Sequence, residues 1–179
     1  TEQHRLAPKQ QPGFALCQYR VGHAAGLCGF VGHRHQARWA RGGAPGRILD
    51  SPEYKSWASD HPGYYLVHIL YLSKHVPQVG FYSKTADRMF TFDIGETISV
   101  NPEAEVFKNQ KTIAELKLDK VRIDKPRAME IDLALRKEKY PTELLLDSDM
   151  VILQRIKEGL VYNITHFTKS FKTLNIKID

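Results

Sequence analysis

Beyond residue 60 the hydrophobic positions of the chain fall into regular patterns. Tyr64–Leu72 is an apolar run broken by His68, which reads as a strand covered on most of its surface. Residues 79–83 and Arg88–Ile94 flank the turn Lys84-Thr85-Ala86-Asp87 as the arms of a hairpin. Ile98–Val100 adds a short strand before Asn101-Pro102. The irregular, charged stretch from 103 to 120 holds one further short strand at residues 112–118. Asp124 is placed as a helix N-cap with Pro126 in the first turn. Ala128, Ile131 and Leu135 then share one helical face, with Met129 and Leu133 at its margins. Tyr140-Pro141 ends that helix, because proline disfavours helical geometry in the residue before it. Residues 151–156 form a strand, and Lys157-Glu158-Gly159 is a tight connection to the strand at 160–167. In that strand Tyr162 and Ile164 occupy one face, and Asn163 and Thr165 the other. In residues 172–179, Leu174, Ile176 and Ile178 alternate with Asn175, Lys177 and Asp179, the period-two pattern of a strand buried on one side.

The order meander, helix, meander predicts an α+β fold, an antiparallel sheet with one packed helix, over residues 61–179. Residues 1–60 are different material. They hold eight of the twelve glycines, four of the eight histidines, both cysteines and both tryptophans, with eight basic residues against four acidic ones. Glycines at 22, 26, 29, 32, 42, 43 and 46 interrupt every longer element there. Residues 34–41 predict a short basic helical turn. Ser51 as N-cap with Pro52 at the first helical position predicts a short helix, closed by the turn Asp60-His61-Pro62-Gly63. The expectation is a largely irregular Gly/Arg-rich N-terminal extension that lies across a surface and has no core of its own. No internal repeat or low-complexity tract is legible.

Composition narrows the class. The chain has 179 residues, 42% of them hydrophobic, which suffices for a core and argues against wholesale disorder. The net charge of +6 is basic, yet modest for a dedicated DNA-binding module of this size. Two cysteines exclude a disulfide-dense scaffold and leave the redox compartment open. The longest apolar run is far shorter than the roughly 20 residues of a bilayer-spanning helix, so no membrane span is expected.

The segments Val121-Arg122-Ile123-Asp124-Lys125-Pro126-Arg127-Ala128-Met129-Glu130-Ile131, Leu160-Val161-Tyr162-Asn163-Ile164-Thr165 and Leu174-Asn175-Ile176-Lys177-Ile178-Asp179 together resemble a PepSY-type domain. The resemblance spans residues 121–179. It rests on an Ala-containing helix, a strand of the type aromatic-x-aliphatic-Thr, and a strand closing on Asp. Members usually continue past that Asp into a Thr-Gly turn and another strand, for which the sequence given has no counterpart. The resemblance implies a non-enzymatic module that binds or inhibits protein partners, with no catalytic residues to carry over.

Candidate chemistry concentrates in the first 60 residues. Cys17, His23, Cys28 and His33, with His35 beside them, are thiolate and imidazole donors that could hold a zinc ion and cross-link a Gly-rich segment. Their spacing lacks the tight C-x2-C or H-x3-H pairs of most structural zinc sites, so no cofactor is the first expectation. Arg20, Arg34, Arg38, Arg41 and Arg47, interleaved with Tyr19 and Trp39, could follow phosphates while the aromatics stack on bases, or could grip an acidic protein surface. No G-x-S-x-G occurs, and the segment Gly42–Arg47 lacks the Lys-Ser/Thr ending of a phosphate loop. The acidic pairs Asp93/Glu96, Glu103/Glu105 and Asp147/Asp149 fall at turns or strand ends. No catalytic residue and no small-molecule substrate is expected. The leading expectation is a non-enzymatic protein-binding or scaffold module within a larger assembly. The alternatives are an RNA-associated subunit of a ribonucleoprotein complex using the Arg-rich arm, and an enzyme of unrecognised chemistry.

Overall fold

In a computed structural model, residues 16–21, 43–105 and 113–179 are described. Among them the elements are β1 (Leu16–Val21), α1 (Ala44–Asp50), α2 (Pro52–Asp60), β2 (Tyr64–Leu72), β3 (Gln78–Ser83), β4 (Arg88–Ile94), β5 (Ile98–Val100), β6 (Ala104–Glu105), α3 (Lys125–Lys139), β7 (Leu145–Ile156), β8 (Gly159–Thr168) and β9 (Thr173–Ile178). The strands make one sheet in the order β1-β9-β8-β7-β2-β3-β4-β5, with β6 also on β4. All pairings are antiparallel except that of β1 with β9. The fold is α+β with an antiparallel sheet, as its hydrophobic patterning predicts.

Two meanders, β2-β3-β4 and β7-β8-β9, each follow a helix, and their first strands pair at the centre of the sheet. Ile69 lies opposite Leu153 and Tyr71 opposite Val151, so the halves are related by a pseudo-two-fold through this seam. The duplication is one of topology. The side chains of the halves have diverged, which is why no repeat is legible in the sequence.

One face of the sheet carries the core. Ile69, Val79, Phe92, Val151, Leu153, Ile164 and Ile176 all lie on it and are fully or almost fully buried. Val79 sits between Ile69 and Phe92, and Ile164 between Val151 and Ile176, in matching registers. All three helices send side chains into this cluster: Ile48 from α1, Trp57 from α2, and Ala128 from α3. Both longer helices start on cap signals read from the sequence. Ser51 accepts from the Tyr54 amide at 3.1 Å, and Asp124 from the Arg127 amide at 2.9 Å.

Three features differ from the sequence reading. First, the packed unit reaches upstream of residue 60. Trp57 lies 5.1 Å from Phe92 and 5.5 Å from Phe81, and Tyr54 stacks on Phe81 at 4.9 Å. Helices α1 and α2 therefore roof the first meander, because rings of this size bury more apolar surface there than short aliphatic chains could. Second, β1 adds a strand within the Gly-rich front segment, paired in parallel with β9. Third, residues 113–117 are extended without strand pairing, and the amide of Leu116 donates to Leu66 O at 2.8 Å. The basic turn expected at residues 34–41 lies outside the described residues.

On the face opposite the helices, His68 lies across from Gly80. A side chain at Gly80 would run into the His68 ring, so the glycine makes room for the imidazole. Gly80→Ala is expected to lower stability by about 1–3 kcal/mol in chemical denaturation. The cost in a His68→Ala background should be clearly smaller; equal costs would show that the ring is not the obstacle. Burial also lowers the His68 pKa from 6.5 to about 4. As pH falls, the unfolded chain therefore takes up this proton first. The contribution of neutral His68 is complete above about pH 6.5, is lost on descent toward pH 4, and then levels off. The loss is at most about 3 kcal/mol, and a His68→Gln variant should show a correspondingly flatter stability profile over that window.

Candidate functional site

The counterpart of Phe81 in the second half is His166. Phe81 lies between Leu66 and Phe90, and His166 between Asp149 and Leu174, each two residues beyond the matched pair Val79 and Ile164. Above Phe81 stands Trp57; above His166 stands Asp132 of α3. The second half thus replaces an aromatic contact with a polar one. His166 Nε2 lies 2.9 and 3.0 Å from the two Asp132 oxygens, and Arg136 Nε donates to Oδ2 at 2.8 Å. Asp132 is fully buried, His166 nearly so, and Arg136 remains partly exposed. A carboxylate offers only acceptors, so Nε2 is the ring nitrogen that carries the hydrogen.

This cluster pins α3 to β8. Among the described residues the His166 ring hydrogen-bonds to Asp132. Arg136 faces an open cleft of about 210 Å³, walled by Lys137, Tyr140, Glu143, Leu145 and Leu174. Burial raises the phenol pKa of Tyr162, which donates to Ile123 O at 3.1 Å, and of Tyr71, pushed up to about 12 beneath the Lys125 ammonium 4.6 Å from its ring. Both phenols stay neutral and tie the start of α3 to the sheet.

The face opposite the helices is laid out in cross-strand rows. Leu70, Ile152, Asn163 and Lys177 are successive partners across four strands, and Leu72, Met150, Thr165 and Asn175 form the next row. Asn175 Nδ2 donates to Asn163 Oδ1 at 2.6 Å and to Thr165 Oγ1 at 2.8 Å, joining the rows. The sequon Asn163-Ile164-Thr165 therefore lies inside a paired strand with both polar side chains engaged. Tyr65 and Tyr82 meet edge to face at 5.8 Å on the same side.

Of the residues singled out in the sequence, Arg34, Arg38, Trp39, Arg41, His23, Cys28, His33 and His35 lie outside the described residues. Cys17 and Arg20 fall in β1, at the register positions of Leu174 and Lys177. Arg47, in α1, donates to Gly95 O at 2.7 Å and so holds a backbone turn. Among the described residues no group of three or more His, Cys, Asp or Glu could hold a metal ion. The acidic pairs are occupied individually: Asp93 accepts from Gln78, Glu103 from Tyr64 and Asp149 from Ser73, while Asp147 pairs with Lys74 and Glu105 with Arg88. Sequence reasoning passed over Asp132 and His166. Asp132 sits one position from the apolar stripe Ala128, Ile131, Leu135, and His166 keeps the inward phase of Tyr162 and Ile164. That phase is the signal that could have paired them.

Removing one partner of a buried hydrogen-bonded pair leaves the other polar group unsatisfied, at a cost of about 1–3 kcal/mol. Asp132→Ala should therefore destabilise in urea unfolding. An Asp132→Leu, His166→Leu double variant should recover much of that loss; an Asp132→Ala effect below about 1 kcal/mol would show that the pair is not a structural pin. No protein-family model matches the chain, and no curated protein or solved structure matches it either.

Proposed function

We propose that the protein is a non-enzymatic binding module that docks a protein partner on the sheet face opposite its helices. The observation that carries this reading is the one-sidedness of the fold. All three helices pack into the core on one face, and no described helix stands over the rows Leu70-Ile152-Asn163-Lys177 and Leu72-Met150-Thr165-Asn175. A face of mixed apolar and amide side chains, held in register by cross-strand bonds, is a rigid platform with few side-chain rotamers left to freeze on binding. Two further points support the reading. The most buried ionisable cluster, Asp132 with His166 and Arg136, is spent on anchoring a helix. The resemblance of residues 121–179 to PepSY-type modules also points to binding without catalysis, and its segments are the start of α3, β8 and β9.

Gln154→Arg and Lys177→Glu change this face at partly exposed positions without touching the core. Affinity purification of the tagged full chain should yield a protein complex that survives high salt, and both variants should lose it while melting within a few degrees of wild type. Equal recovery of the partner by both variants would move docking off this face. Recovery of nucleic acid with steep salt dependence, in place of a protein, would favour the RNA-associated alternative.

A further inference from the structure

We propose that one end of the sheet is a surface that docks on anionic membranes. Among the described residues, six of the eight exposed large hydrophobics, Leu72, Val76, Leu144, Leu146, Phe167 and Phe171, lie toward that end, the other two being Val100 and Leu133. They stand on three neighbouring segments: the exit of β2, the entry to β7, which runs five residues past the partner of Leu72, and the β8–β9 turn. Backbone bonds stitch these segments to one another, from the Ser73 amide to Asp149 O at 3.2 Å and from the Lys169 amide to Leu144 O at 2.8 Å. The tips are thereby held as one surface.

Phe171 is the foremost of them. It is 86% exposed and sits in the left-handed backbone region at φ 59°, a conformation bulky residues rarely adopt. Lys169 and Lys172 flank it in the same turn. Lys74, also left-handed at φ 67°, pairs with Asp147 at 3.1 Å, and Asp149 at the same end accepts from Ser73. Glu96 and Glu143 stand at the rim. An apolar ring thrust out between two ammonium groups suits a lipid interface, where the ring enters the acyl boundary and the lysines meet phosphates. A fluid interface needs no matching pocket, whereas a rigid partner would need one for each of three separate loops. No described helix is long and apolar enough to cross a membrane, so this is attachment to a surface. The surface shares Leu72 with the face assigned to a protein partner, but Lys169, Phe171 and Lys172 lie outside the rows of that face, so either assignment can fail alone.

Co-sedimentation of the full chain with phosphatidylcholine vesicles, with and without phosphatidylserine, tests the proposal. Binding to the anionic vesicles is expected, falling about tenfold or more in Phe171→Ser, because the ring no longer leaves water. Lys169→Glu with Lys172→Glu should abolish most of the preference for phosphatidylserine, at about fivefold per lysine. Both variants keep the basic front segment, so any lipid affinity it has cancels in the comparison. Matching melting curves show that the exposed substitutions leave the fold intact. No sedimentation with anionic vesicles, or equal binding by wild type and Phe171→Ser, overturns the proposal. So does concentration-dependent self-association that Phe171→Ser removes in the absence of vesicle binding, since the patch would then be a contact between copies.

Discussion

The antiparallel seam between β2 and β7 is the constraint on which the remaining structure depends. Ile69, Leu153, Tyr71 and Val151 face one side of that seam, and the core residues of the two meanders are placed by counting outward from them through the strand register. A slip of one residue would turn the core-facing set of either meander toward the opposite face, because side chains alternate with period two. The seam therefore fixes which face receives the described helices. It also joins residues 78 to 86 positions apart in the chain, so the two halves share one core instead of building two small ones.

The halves solve the same packing problem with different chemistry. In the first, Trp57, Phe81, Phe90 and Phe92 fill the space beneath α2 through rings 5.1 to 5.5 Å from the tryptophan. In the second, the corresponding space holds Asp132 and His166, with Arg136 linking the carboxylate to the edge of a cleft. Aromatic packing tolerates small shifts of the helix, since its energy is spread over many weak contacts. A buried carboxylate with two cationic or polar partners tolerates few, because each bond requires short distance and correct direction. The cleft is built against the C-terminal end of helix α3.

The two surfaces assigned to binding follow from the same geometry. Placing every helix on one side leaves the opposite face with cross-strand rows, and gathering three loop ends at one edge leaves six large apolar side chains in water. Contiguous exposed apolar surface is costly to keep in solution, and it is more readily understood as a contact surface than as a by-product of folding. Face and edge meet at the row through Leu72 and Met150. A membrane held at the edge would leave the face turned toward the solvent and open to a partner.

Local chemistry was legible in the sequence wherever a single element decides it. Ser51 and Asp124 capped their helices as read, because a cap needs only a side chain and an amide three residues on. The alternation of Leu174, Ile176 and Ile178 gave the inward face of β9, and the breaks at Lys84–Asp87 and Lys157–Gly159 gave the hairpins. Trp57 was beyond reach, since its helix is short and glycine-rich sequence precedes it; only the aromatic floor of β3 and β4 makes it a core residue. Asp132 and His166 were also missed, because 34 residues separate them and each alone resembles a solvated polar group. What the sequence determines by itself is therefore the list of elements, their phase and the α+β class. Only the tertiary structure decides that β2 meets β7, that the fold is duplicated, and that a buried hydrogen-bonded pair and an apolar edge exist, because each depends on side chains brought together from distant parts of the chain.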